Sequence, residues 1–176
     1  MKRAVFVDRD GVINQAIVRD GNPYPPAGLA ELNILPGVRK ALRGLHYANY
    51  LIIVVTNQPD VARGLAKKQD VEMMNSFLSS QLPIDDFKTC YHDSKDKCNC
   101  RKPLPGALLE AAKNYNIDLS KSFMIGDRWR DIQAGASAGC KTFFIDNHYA
   151  ERKPDTPDFV VRSLLEAGKI ILRDFK

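Results

Sequence analysis

The sequence has no apolar run that approaches the roughly 18 residues of a membrane span. Its first apolar segment, Ala4 to Val7 behind Lys2 and Arg3, is far too short for the hydrophobic region of a secretory signal. No membrane-spanning helix is expected, and a cytoplasmic location is expected. Internal repeats and low-complexity segments are also missing, so neither a repeat array nor a disordered tract is expected. The net charge is +5, but no block of like charge gathers anywhere along the chain. That surplus could serve a nucleic-acid surface, but its scatter argues against one, and a small anionic substrate explains it as well. Cysteine is scarce: there are four, and three of them crowd between positions 90 and 100 beside His92. In a reducing compartment that crowding argues against a disulfide framework and for a metal site, with Cys140 left over.

The composition, 44% hydrophobic and 27% charged, is that of an ordinary globular protein, and 176 residues suffice for one domain spanning 1–176. A monomer is expected. Short β-branched and aromatic runs read as strands: Ala4 to Val7, Leu51 to Val55, Phe87 to Tyr91, Phe123 to Ile125, Thr142 to Ile145 and Phe159 to Val161. Between them, apolar residues recur at helical spacing, as in Val38, Leu42 and Leu45, in Val71, Met74 and Leu78, and in Leu108, Ala111, Ala112 and Tyr115. Met73 and Met74 are both assigned to the core. The alternation predicts an α/β fold, a three-layer Rossmann-like parallel sheet with helices on both faces. Asp20 to Ala30, rich in Gly and Pro, is predicted to be a structured surface loop.

In such a fold the active site lies at the carboxyl ends of the strands. Polar residues fall there: Asp8 and Asp10 after the first strand, Thr56 and Asn57 after the second, Gly126 and Asp127 after the fourth. Two carboxylates close together repel, which favours a bound cation or a shared proton, and either suits phosphoryl transfer. Thr56 offers a hydroxyl to a phosphate oxygen. Lys102, just ahead of a predicted helix, offers a fixed positive charge. Asp127 completes a set of hard oxygen ligands suited to Mg²⁺, and Asp131 can hold one of its waters if a helix begins between the two. Cys90-x-His92-x5-Cys98-x-Cys100 supplies the three thiolates and one imidazole of a closed structural Zn²⁺ site, which would order the polar stretch Asp93 to Lys97 and position Arg101 and Lys102.

In order, DRDG, VVTN, RKP and GDRWRD resemble the four motifs of the haloacid dehalogenase superfamily of phosphohydrolases, across most of the chain. The resemblance implies that Asp8 attacks phosphorus, that Asp10 handles protons, and that Thr56 and Lys102 complete the catalytic set. It also implies that Mg²⁺ rests on Asp8, the backbone carbonyl of Asp10, and Asp127. Within the superfamily, the zinc loop running into CRKP is similar to two families of small enzymes without a large cap domain. One acts on heptose 1,7-bisphosphate and the other on histidinol phosphate. TNQPDVARG and MIGDRWRDIQAGASAG stand nearer the former. That likeness implies a sugar bisphosphate substrate bound by Asn57, Gln58, Arg101 and Arg128, and it carries no binding residue onto the segment Gly21 to Ala30. The short gap between His92 and Cys98 is shared with the histidinol-phosphate family. A polynucleotide 3′-phosphatase shares the TNQ…RG pattern, but the zinc loop argues against it. A non-catalytic zinc-stabilised binding module would have to keep a four-part site without using it.

Overall fold

The computed structural model describes residues 1–175. Its centre is a six-stranded parallel sheet in the order β5-β4-β1-β6-β7-β8. The strands are β1 (Arg3–Val7), β4 (Tyr50–Asn57), β5 (Asp86–Cys90), β6 (Phe123–Gly126), β7 (Lys141–Ile145) and β8 (Phe159–Val161). Connecting helices are α1 (Val38–Tyr47), α2 (Lys68–Gln81), α3 (Gly106–Tyr115), α4 (Trp129–Ala138) and α5 (Leu164–Asp174). None of the described helices is long and apolar enough to cross a membrane.

Strand alternation explains the two cores. Val5, Val7, Ile52 and Val54 point into one, against Leu42 and Leu45 of α1, Met74 and Leu78 of α2 and Ile171 of α5. Their neighbours Ala4, Phe6, Ile53 and Val55 point into the other, against Leu108 and Ala111 of α3 and Ala134 of α4. A strand buried on both faces needs an unbroken apolar run, which is what β1 and β4 supply. From β1 the chain proceeds to β4 and β5 on one side, then crosses to β6, β7 and β8 on the other. The crevice where the direction reverses lies at the carboxyl end of β1, between β4 and β6.

Three expectations are corrected. Met73 is half exposed while Met74 is buried. One residue turns a helix by about 100°, so the stripe Val71, Met74, Leu78 leaves Met73 facing outward. Thr56 and Asn57 lie within β4, paired in register with Thr89 and Cys90, because the ladder runs two residues past the apolar stretch. The Gly- and Pro-rich segment is part of a ribbon, β2 (Ile17–Arg19) against β3 (Asn22–Tyr24), followed by a short 3₁₀ turn. Asp20 and Gly21 both take positive φ, +49° and +75°, the backbone that a two-residue hairpin turn requires.

Candidate active site

Asp8 continues the alternation of β1 toward the α3 and α4 side, and its N–H still donates to Ile125 O (3.0 Å) in β6. There it meets Lys102, which enters ahead of α3. The buried ammonium donates to Asp8 Oδ1 (2.8 Å) and Val55 O (2.6 Å) and pairs with Asp131 Oδ1 (2.7 Å), so three partners occupy its three protons. Asn57 holds the lysine's backbone from both sides: its Nδ2 donates to Lys102 O (3.0 Å) and its Oδ1 accepts from Lys102 N–H (3.1 Å). Helix α4 begins between Asp127 and Asp131, as the sequence required, and Asp131 Oδ2 caps it by accepting from Arg128 N–H (3.0 Å).

Asp10 is held differently. Its Oδ1 accepts from Arg9 Nε (3.1 Å) and Asn14 Nδ2 (3.0 Å), and its Oδ2 from Arg9 Nη2 (3.1 Å) and Gln58 Nε2 (2.7 Å). Arg9 is wholly buried, and its remaining nitrogen Nη1 donates to Asn75 Oδ1 of α2 (3.0 Å). The sequence reading passed over Arg9, although an arginine between two candidate catalytic acids was the available signal. Gln58 is buried too, and it reaches Asp10 and Thr56 Oγ1 (2.9 Å), where the resemblance implied a role at the substrate.

Asp8, Asp127 and Asp131 can each offer an oxygen within 4.8 Å of the others. Burial, aided by Asp131 and Asp10, raises Asp8 to about 6 even though Lys102 opposes the shift. Burial, then Asp8 and Asp131, likewise pushes Asp127 well above the usual carboxylate range. Lys102 moves up, because the two carboxylates outweigh its burial. Asp127 Oδ2 accepts from Tyr149 OH (2.8 Å) and Asn147 Nδ2 (3.2 Å), while its Oδ1 is buried with no hydrogen-bond partner among the described residues. An orphaned anionic oxygen among two more carboxylates fits a small divalent cation with hard oxygen preference. Gly11 closes this corner at φ +91°, and a Cβ there would overlap the Asp127 carboxylate and crowd the Tyr149 hydroxyl.

Asp8, Asp10, Lys102 and Asp131 line a cavity of about 60 Å³ that also takes in Thr56, Asn57, Arg128 and Arg130, with Tyr24 and Pro25 at the end of the hairpin, while Asp127 lines a smaller neighbouring space with Asn147 and Tyr149. The segment to which no binding residue was assigned therefore supplies one wall. A larger cavity of about 410 Å³ adjoins it on the cysteine-loop side, and Lys102 and Arg130 border both. Arg63, Lys97, Arg101, Trp129 and Arg130 line this second space. Arg63 is paired with Asp60 (3.2 Å) and Asp93 (2.7 Å), and it holds the Asp93 carboxyl down to about 2. Arg130 shares Glu151 with Arg128, each at 2.7 Å. Arg101 donates to a carbonyl, His92 O (3.1 Å), and among the described residues it forms no ion pair, although the Asp93 carboxylate acts on it from further away. Glu151 and Arg130 went unnoticed in the sequence; Glu151 lies in an aperiodic loop after β7.

In the cysteine loop, Cys90 Sγ lies 3.7 Å from Cys98 Sγ and from His92 Nδ1, and His92 Nδ1 lies 3.4 Å from Cys100 Sγ. Sulfur atoms about 2.3 Å from a central zinc sit roughly 3.8 Å apart along a tetrahedral edge. The four side chains have the separations of a tetrahedral donor set and are far too distant for a disulfide. Cys140 stands apart and buried, with its thiol pushed up to about 12 by burial.

A family model described as HAD-hydrolase-like matches residues 99–167. The D-glycero-beta-D-manno-heptose-1,7-bisphosphate 7-phosphatase of Rhodopseudomonas palustris is 33% identical over 175 residues, covering 93% of this chain and 91% of that protein. The D-glycero-alpha-D-manno-heptose-1,7-bisphosphate 7-phosphatase of Campylobacter jejuni is also 33% identical, over 82% of this chain and 83% of its own length. Among solved structures, the D,D-heptose 1,7-bisphosphate phosphatase of B. bronchiseptica, complexed with magnesium and phosphate, superposes with a TM-score of 0.79 at 28% identity. That match covers 98% of this chain and 99% of the other.

Proposed function

Because this chain belongs to the D-glycero-D-manno-heptose 1,7-bisphosphate 7-phosphatase family of haloacid dehalogenase-type hydrolases, we propose that it removes the 7-phosphate of such a heptose bisphosphate through a phosphorylated Asp8. The observation that carries the reading is the cavity itself, where two acids held in different ways, Asp8 against Lys102 and Asp10 within a fork of donors, face the same small space. An Asp8 oxygen bonds to phosphorus as the ester P–O bond breaks, and Asp10 gives its proton to the departing sugar oxygen. Asp10 then takes a proton from the water that cleaves the aspartyl-phosphate, which restores Asp8 and releases phosphate. Lys102 and the Thr56 hydroxyl disperse charge on the phosphoryl oxygens. Magnesium, held by Asp8, Asp127 and the Asp10 carbonyl, would supply a Lewis acid for the transferring group. Asn57 fixes the Lys102 backbone, and Gln58 steadies Asp10.

The groove beside the cavity supports a bisphosphate. A distal phosphate needs its own cation, and Arg101 is the guanidinium there without a carboxylate partner. Arg130, held with Arg128 by Glu151, stands between the two spaces. Removing one charge-assisted contact costs about 1.5–3 kcal/mol. Arg101→Ala should therefore lower kcat/KM for heptose 1,7-bisphosphate by roughly 10- to 100-fold, while an aryl monophosphate is little affected. Equal losses on both substrates would return Arg101 to general phosphate chemistry. The assignment as a whole is tested by assaying both anomers of the heptose bisphosphate against histidinol phosphate, and faster turnover of histidinol phosphate would overturn it.

The same reading gives the cysteine loop one structural zinc held by Cys90, His92, Cys98 and Cys100. Zinc would brace a polar stretch that has no buried side chain of its own between Asp93 and Lys97. Elemental analysis should find about one zinc per chain, and Cys98→Ser should lower both the zinc content and the melting temperature. Protein purified without chelator and free of zinc would defeat this assignment.

A further inference from the structure

The segment from Asp146 to Lys153, after β7, contains no catalytic group of the proposed reaction, yet it reaches the centre of the site. Tyr149 OH donates to Asp127 Oδ2 (2.8 Å), and Asn147 Nδ2 lies 3.2 Å from the same oxygen and 3.0 Å from Gly11 O. The segment is fastened on either side of these contacts. His148 N–H donates to Asp146 Oδ1 (3.0 Å), Ala150 N–H donates to Gly21 O of the hairpin turn (2.8 Å), and Glu151 receives Arg128 and Arg130. Tyr149 is half-buried against Gly11, so its hydroxyl is placed by the backbone around it.

The consequence is an asymmetric carboxylate. One oxygen of Asp127 carries two donors, and the other is buried and bare. A carboxylate held this way can give a cation one oxygen only, since turning to offer both would strip Oδ2 of its hydrogen bonds. Magnesium takes near-octahedral single-oxygen ligands at about 2.0–2.1 Å, whereas calcium accepts six to eight oxygens at about 2.3–2.6 Å and often uses both oxygens of one carboxylate. We propose that Tyr149, assisted by Asn147, is a positioning residue that locks Asp127 into single-oxygen coordination and so tunes the active site for magnesium over calcium. The inference rests on the magnesium site proposed above.

Calorimetric titration of the metal-free, full-length protein with MgCl₂ and separately with CaCl₂ tests this without any turnover. Loss of a hydrogen-bonding partner behind a metal ligand typically weakens metal binding by 10- to 100-fold. Tyr149→Phe should weaken magnesium binding by roughly 10-fold and calcium binding by less, which narrows the ratio between them. Asn147→Ala should act in the same direction with smaller effect, and it serves as the second arm if Tyr149→Phe folds poorly. Unchanged magnesium affinity and an unchanged ratio in both variants would overturn the proposal, as would a lower unfolding midpoint of the metal-free variants with no change in binding. Failure of the unsubstituted protein to bind magnesium would overturn the cation site itself, and this inference with it.

Discussion

Asp8→Asn should reduce phosphatase turnover by at least ~10⁴-fold, about 5.5 kcal/mol of activation free energy, and leave the fold intact. The amide has the shape of the carboxylate but cannot form the acyl phosphate. The fold survives for a separate reason: Lys102 keeps two of its three partners, Asp131 Oδ1 and Val55 O. The sign of the charge effect agrees. An acid raised to about 6 by burial adds stability below its ordinary pKa near 4 and loses that contribution as pH rises through 6, so at pH 7.5 its ionised form is a liability that a neutral amide removes. Thermal unfolding of the metal-free variant at that pH should therefore lie within a few degrees of the parent. Acid quenching during turnover should trap labelled phosphate on the parent protein and none on the variant. Substantial residual activity in the folded variant would remove Asp8 from the role of nucleophile.

Much of this site was legible in the chain because its residues follow directly from strands. A run such as Ala4 to Val7 has one reading, a strand buried on both faces, and the residue that follows it must emerge at the sheet edge. The same logic placed Thr56 and Asp127 beside Asp8, Lys102 was legible from its position just ahead of a helix, and the spacing of Cys90, His92, Cys98 and Cys100 matches a cluster that could hold a metal. The supporting residues were not legible, because their partners are distant in sequence. Arg9 becomes a brace for Asp10 only when Asn75 of α2 lies beneath it, 66 positions away. Tyr149 and Glu151 sit in a loop with no periodicity, and nothing local ties them to Asp127 or Arg130. The hairpin wall was missed for a different reason. Asp20-Gly21 between Ile17–Arg19 and Asn22–Tyr24 is a turn signal of known geometry, but the prolines around it outweighed the short strands.

Lys102→Met should be the most destabilising single change in the site, by about 3–5 kcal/mol when magnesium is absent. Methionine roughly matches the length of the lysine stem, so packing is largely kept and the loss is mainly that of the charge. What remains is Asp8, Asp127 and Asp131 gathered within 4.8 Å, buried, with no ammonium between them, and a Val55 carbonyl without its donor. Removing one partner from a buried ionic cluster costs far more than an exposed pair would, because the groups left behind cannot regain water. The pH dependence follows from the same charges. Asp8 and Asp127 already sit above the usual carboxylate range with Lys102 present, and without it both must rise further. In the variant they take up protons at higher pH than in the parent, so the deficit should be largest at pH 8 and should shrink as pH falls toward about 6, where Asp8 of the parent takes up its own proton. Urea unfolding of parent and variant across that range measures it, and saturating magnesium should recover part of the loss at pH 8 by supplying positive charge to the same oxygens. A deficit under about 1 kcal/mol that does not vary with pH would resemble an exposed ion pair, and it would mean that Lys102 does not neutralise the cluster.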